Sequence, residues 1–256
     1  MCAENFYNPT LGAESDSCVA CETGKASIPG SRNCTISTWQ VSNMLELFTK
    51  ISNYDNSTYS DFSGDDIMGV GDIVTLDPSN YTCTGANDCA TSSTTDSTEP
   101  TMIAIRNLFG VIKCSSNDAS CVLNGQASRR CLYVEGTRFT TLIIRALTFK
   151  NGAGSVSGGG GILITDQGLV DVTLCVFHGN KNTVSGGPGG ALSVREVGTS
   201  ADLRGTVFYN NSLLSGDGND IYNQGGNVMV RDDCPKEGVS IPGKNDNSKF
   251  TSVQHN

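Results

Sequence analysis

Histidine is nearly absent from this chain: His178 and His255 are the only two among 256 residues. His178 directly follows Phe177 and His255 lies in a polar tail, so neither sits at a spacing that suggests a catalytic pair or a metal-ligand set. Basic charge is also scarce. Seventeen Lys and Arg against 26 Asp and Glu leave a net charge of −9, too negative for a surface that neutralises phosphates or seeks anionic lipid. Nucleic acid is thereby excluded as a partner. No apolar run reaches the roughly 20 residues that cross a bilayer. Met1-Cys2-Ala3-Glu4-Asn5 lacks the basic and apolar regions of a signal peptide. Prolines number seven while glycines number 30, without a collagen period, which suits many tight turns.

What the chain does have is cysteine. Eleven cysteines, several in short-loop pairs, point to an oxidising compartment. Four glycosylation sequons agree, at Asn33, Asn56, Asn80 and Asn210, whereas Asn8 is followed by proline. An extracellular or cell-surface location is expected, with the sequence read as a piece of a longer protein. Residues 1–36 carry Cys2, Cys18, Cys21 and Cys34 with almost nothing to build a core, so disulfides must hold them. Pairing Cys2 with Cys18 and Cys21 with Cys34 is preferred, although three connectivities are open. Cys83 and Cys89 close one tight loop, and Cys114 and Cys121 another. The odd total leaves at least one cysteine unpaired.

Residues 38–52 read as a helix with Trp39, Val41, Met44, Leu45, Leu47, Phe48 and Ile51 on a broad apolar stripe, capped by Ser37 or Thr38. Such a helix would cover the open end of a solenoid, its exposed edge and apolar interior. A β-branched strand begins after Gly71 and stops before Pro78, and further short strands are expected at 102–106, 109–113, 120–123 and 132–134.

From 141 to 230 the chain repeats itself. Phe149, Phe177 and Phe208 each end an alternating apolar segment, 28 and 31 residues apart. Gly160-Gly161-Ile162-Leu163 recurs 29 residues later as Gly189-Gly190-Ala191-Leu192, and Asn219-Asp220-Ile221-Tyr222 lies 30 beyond that. Periods of this size mean stacked units that cannot bury their apolar faces alone. Short strands broken by Gly and Asn fit an all-β fold, a right-handed parallel β-helix spanning residues 37–233 with coils about 4.8 Å apart. Counting back from each phenylalanine gives its columns. Leu147, Cys175 and Thr206 face in, as do Ile144, Val172 and Leu203. Ala146, Leu174 and Gly205 mark a change of direction. Arg145, Thr173 and Arg204 face out, as do Ile143, Asp171 and Asp202. Cys175 is then a buried thiol acting as a small apolar residue, and Cys131 is ambiguous. The asparagines after each phenylalanine (Asn151, Asn180, Asn210, Asn211) suit turns and stacked hydrogen bonds. The glycine pairs are expected to supply the positive-φ corners. Residues 234–256 read as a polar tail, or as the start of a further cysteine module at Cys234.

Gly-Gly-Ile-Leu and Gly-Gly-Ala-Leu, with Phe-His-Gly-Asn at 177–180 and Phe-Tyr-Asn-Asn at 208–211, resemble the GGA(I/L) and FxxN repeats of chlamydial polymorphic outer-membrane proteins. More broadly the chain resembles pectin-lyase-like β-helix proteins. Its first repeat departs, carrying Asn151 one place early. Residues 2–34 resemble the cysteine-rich repeats of ephrin-receptor-like and tumour-necrosis-factor-receptor-like ectodomains. These resemblances imply a parallel β-helix in an extracellular setting, among relatives that include carbohydrate-active enzymes, adhesins and proteins without activity.

Enzymes of that class need recognisable groups, either paired carboxylates or acidic calcium ligands with a basic residue. The Gly-His-Gly and paired-Asp motifs of polygalacturonases are missing, as are a nucleophile elbow, a Walker loop and an HExxH. The best constellation is Asp171 and Asp202 beside Arg145 and Arg204. It reads more simply as a solvated ion-pair ladder. Asp217-Gly-Asn-Asp220 resembles a calcium loop but reads more simply as a coil corner, and Asp232-Asp233 as a solvated boundary. The outward Arg, Thr, Arg column breaks the threonine ladder that ice binding requires. No catalytic, cofactor or metal residues are assigned, and no cofactor is expected. The expectation is a non-enzymatic extracellular module for adhesion, recognition or structure, binding carbohydrate or another surface protein. The alternative is a diverged polysaccharide lyase.

Overall fold

The computed structural model describes residues 6–7, 19–20, 25–26, 36–51, 72–84, 89, 100–106, 110–136, 141–184, 189–213, 220–231 and 234. Their short alternating segments wind into a parallel β-solenoid. One coil illustrates the path: Leu142–Arg145, Leu147–Lys150, Ala153–Gly154 and Ile162–Thr165 each enter a different sheet, and Leu169–Thr173 returns beside Leu142–Arg145. The longest sheet has eight strands, in the order Asn227–Val230, Ser200–Arg204, Leu169–Thr173, Leu142–Arg145, Gly110–Cys114, Asp72–Leu76, Ile36–Val41 and Lys25–Ala26. Only the last of these pairs antiparallel. Phe6–Tyr7 and Val19–Ala20 form a separate antiparallel pair. The strands expected in the irregular stretch are present as Thr101–Arg106, Gly110–Cys114, Cys121–Asn124 and Arg130–Glu135.

The inward columns fall where the alternation places them. Phe149, Phe177 and Phe208 stack with ring centroids 4.9 and 4.6 Å apart. Tyr81 and Leu123 extend this column into earlier coils. Ile144, Val172 and Leu203 are fully buried. Ala146, Leu174 and Gly205 turn the corner at φ of 56°, 55° and 53°. A left-handed alanine or leucine costs about 1–2 kcal/mol, which the stacked interior on either side offsets.

The asparagines occupy two columns rather than one. Asn151, Gly179 and Asn210 take left-handed φ at the second corner. One place later, Gly152, Asn180 and Asn211 share an inner rung, the last two buried. Asn180 Oδ1 accepts from the Gly152 amide at 2.8 Å, and Asn180 Nδ2 donates to Asn211 Oδ1 at 3.0 Å and Phe149 O at 2.9 Å. The first repeat cannot place asparagine on this rung, because a Cβ on Gly152 would lie 1.9 Å from the Gly160 carbonyl.

Three expectations need correction. The glycine repeat is shifted by one residue: Ile162 pairs with Leu192 and Leu192 with Ile221, intervals of 30 and 29. Gly159-Gly160-Gly161-Ile162 is therefore the true counterpart of Gly189-Gly190-Ala191-Leu192. Four consecutive glycines carry no apolar mark to fix the register. Gly158, Gly159 and Gly189 do have positive φ, but Gly160 and Gly161 are glycine for close approach. A Cβ on Gly161 would meet the Phe177 ring at 2.7 Å.

The expected helix also begins late. Its first residues instead form the strand Ile36–Val41, paired parallel with Asp72–Leu76, and the helix spans Met44–Ile51. Trp39 and Val41 belong to a period of two, which merged with the 3.6-residue stripe behind them. Asn43 caps the helix, not Ser37 or Thr38: its Oδ1 accepts from the Glu46 amide at 3.0 Å, and Glu46 reaches back to the Ser42 amide. Met44, Leu47 and Ile51 enter the solenoid core, and the helix packs on Thr101–Arg106.

Cys234 is the third correction. It is buried and lies on the interior column Cys121, Leu147, Cys175, Thr206. Cys175 Sγ approaches Ile144 O, Thr206 Oγ1 donates to Val172 O, and Cys234 Sγ approaches Leu203 O, the same contact repeated on successive coils. Cys234 is a further rung of the core.

Candidate functional site

The eight-stranded sheet presents the longest regular outer surface, and the strand pairing fixes which side chains stand side by side on it. One outward column runs Ile73, Val111, Ile143, Asp171, Asp202, Met229. The next, two residues further along each strand, runs Gln40, Thr75, Lys113, Arg145, Thr173, Arg204. All alternate with core positions such as Val74, Ile112 and Ile144.

Of the four residues singled out from sequence, three meet. Arg204 Nη2 lies 2.9 Å from Asp202 Oδ2, and its Nε lies 4.0 Å from Asp171 Oδ1. A fourth partner was missed. Arg231 Nε donates to Asp202 Oδ1 at 2.8 Å and its Nη2 to Oδ2 at 2.6 Å, a bidentate pair from the following coil. Its signal was the continuing register, in which Leu203 pairs with Val230 and so brings Arg231 beside Arg204. Arg145 stands apart, with Thr173 between it and Arg204 and Lys113 on its other side.

This cluster satisfies itself. Both Asp202 oxygens are held by guanidinium groups, and the hydrogen bonds from Arg231 lead the causes that hold its carboxyl below the usual range. Asp171 accepts from Thr173 Oγ1 at 3.2 Å. The hydrogen bond to Asp202 and that carboxylate's charge hold Arg204 still more firmly protonated, the opposite of what a general base needs. Among the described residues no three His, Cys, Asp or Glu side chains gather as a metal would require.

The other sequence candidates disperse. Asp220 is buried and accepts from Asn211 Nδ2 at 2.9 Å, while Asp217, Asn219, Asp232 and Asp233 lie outside the described residues. His178 stacks on Tyr209 with centroids 4.3 Å apart on the outside of another sheet. Cys83–Cys89 and Cys114–Cys121 are disulfide-bonded as expected. Cys131, Cys175 and Cys234 are buried thiols outside any disulfide, and burial pushes the Cys131 and Cys175 thiols up to about 12. They are packing groups, not nucleophiles. Asn80 and Asn210 are exposed. Cys2, Cys18, Cys21, Cys34, Asn33, Asn56 and His255 lie outside the described residues.

Two hollows are lined by described residues. One of about 550 Å³ is lined by Val197, Gly198, Thr199, Ser200 and 225–227, chiefly small residues at a corner. The other, about 370 Å³, is lined by Thr75, Lys113, Cys114, Ser115, Asn117 and Arg145. Sequence reasoning missed the second because Lys113 and Arg145 are neighbours only through the strand register.

Comparison with protein-family models, with curated proteins and with solved structures returned no match. No described helix is long and apolar enough to cross a membrane.

Proposed function

We propose that this chain is a non-catalytic, extracellular β-solenoid module that presents a rigid outer face for recognising carbohydrate or another surface protein. The observation that carries this reading is the Asp171, Asp202, Arg204 and Arg231 cluster, whose acids and bases are consumed by one another. A lyase would keep carboxylates open for calcium and a base able to lose its proton. The two disulfides favour an oxidising compartment, and exposed Asn80 and Asn210 suit glycan attachment there. The corrected register improves the likeness to polymorphic outer-membrane-protein repeats, since Gly159–Ile162 and Gly189–Leu192 both read Gly-Gly-(Gly/Ala)-(Ile/Leu) on one column. That likeness supports a surface setting without assigning an activity. A cysteine-rich module over 1–36 belongs to the same reading.

The test is turnover. Purified protein incubated with polyuronates, with and without calcium, is expected to release no unsaturated sugar detectable by ultraviolet absorbance. Product formation lost in Asp202→Asn would overturn the non-catalytic reading and establish the cluster as a lyase site.

A further inference from the structure

We infer that the hollow at Lys113 and Arg145 is a binding site for the single anionic group of a terminal acidic sugar. Arg145, Lys113 and Thr75 are direct partners on successive coils, and all three point outward. Coils lie about 4.8 Å apart, so two cations stand shoulder to shoulder, an arrangement that destabilises a sheet unless something offsets it. Arg204 and Arg231, further along the same face, are offset by Asp171 and Asp202. Among the described residues neither Lys113 nor Arg145 has an ion pair. The acids close to Lys113 and Thr75 in sequence hydrogen-bond to neutral groups: Asp118 accepts from Ser116 Oγ at 2.6 Å and from the Ser120 amide, and Asp77 accepts from Gln40 Nε2. The two cations thus stand together with no carboxylate in contact, and an oxyanion placed between them would bridge both.

The surroundings define the ligand further. The Cys114–Cys121 bridge closes the loop that holds Ser115 and Asn117 at the rim, adding hydroxyl and amide groups to the two cations. A guanidinium takes a carboxylate or sulfate through two parallel hydrogen bonds. The neighbouring outward column, Ile73, Val111 and Ile143, lays an apolar strip beside the charges, with Ile143 37% exposed. A sugar ring can rest its C–H face or an N-acyl methyl on that strip while its acid reaches the cations. A volume of about 370 Å³ suits one small ring. The net charge of −9 repels an extended polyanion, which favours an isolated acid at the end of a chain.

This inference rests on the recognition reading, and the test separates the two. Isothermal titration of the full chain would use N-acetylneuraminate and glucuronate as probes, glucose as the neutral control and sodium sulfate as the bare anion. Saturable, salt-sensitive binding of an acidic sugar is expected, with none of glucose. Lys113→Gln with Arg145→Gln should weaken it by at least about tenfold, while Arg195→Gln on another sheet leaves it unchanged. Circular dichroism melting of the double variant should match or exceed the wild type, and Arg145→Lys should retain part of the affinity. Acidic sugars binding no better than glucose, sulfate binding without either sugar, or full affinity in the double variant would each overturn the site. Any of these, without lyase turnover, leaves the non-catalytic reading standing; lyase turnover would remove that reading even with the sugar bound.

Discussion

Asn180 has no exposed surface, yet it satisfies three neighbours at once: the Gly152 amide, the Phe149 carbonyl and Asn211. Its side chain replaces the ladder hydrogen bonds lost where the backbone turns its corner. Leucine could fill the volume but would orphan every partner, and a buried unsatisfied group costs about 1–3 kcal/mol. Asn180→Ala is therefore expected to destabilise the protein by about 3 kcal/mol or more in urea unfolding followed by circular dichroism. A loss below about 0.5 kcal/mol would mean that water substitutes freely on this rung. Phe177, sandwiched between Phe149 and Phe208, stabilises the same corner by dispersion and burial. The two kinds of ladder run side by side, one apolar and one amide.

At the scale of strands, Asp202 ties Ser200–Arg204 to the last described strand, because Arg231 directly follows Asn227–Val230. The bidentate pair is partly exposed, so its contribution is about 0.5–1 kcal/mol. Its pH dependence has a definite sign. The folded-state pKa of Asp202 is lowered, so the stabilisation is complete above the unfolded value near 4 and is lost as pH falls through the depressed folded value. Asp202→Asn should melt below the wild type at neutral pH and converge with it in strong acid; a constant gap across that range would show that the charge is not responsible. Strand alternation made this arrangement legible before the fold was known, since Asp171, Asp202 and Arg204 emerge on counting back from each phenylalanine. What the sequence hid was register wherever the marks were degenerate. Gly158 to Gly161 slipped the alignment by one, and the strand Ile36–Val41 merged with the helix stripe behind it. The pairing of Lys113 with Arg145 spans the disulfide-closed loop and the irregular coil around it, where no repeated residue sets a ruler.

For the molecule as a whole, a solenoid must terminate without leaving strands open to pairing. Thr101–Arg106 and Asn80–Tyr81 are the first strands of their sheets. In the preceding coil the helix Met44–Ile51 follows the strand Ile36–Val41, and it seats Leu47 fully buried against the core. The Tyr81 hydroxyl donates toward the carbonyls of Val41 and Asp77 at 2.9 Å, joining the strand before the helix to the coil above. Leu47→Asp places a charge where no partner exists, a change costing several kcal/mol that should detach the helix. The exposed edge and apolar interior would then seek other chains. A lower melting temperature is expected, together with concentration-dependent association by size-exclusion chromatography and light scattering. Leu45→Asp provides the comparison, because Leu45 lies on the same helix but is 55% exposed and should leave both properties near wild type. If Leu47→Asp melts lower without associating more than wild type, the helix stabilises the core but does not guard the edge; if it melts like wild type, the helix is not the amino-terminal cap.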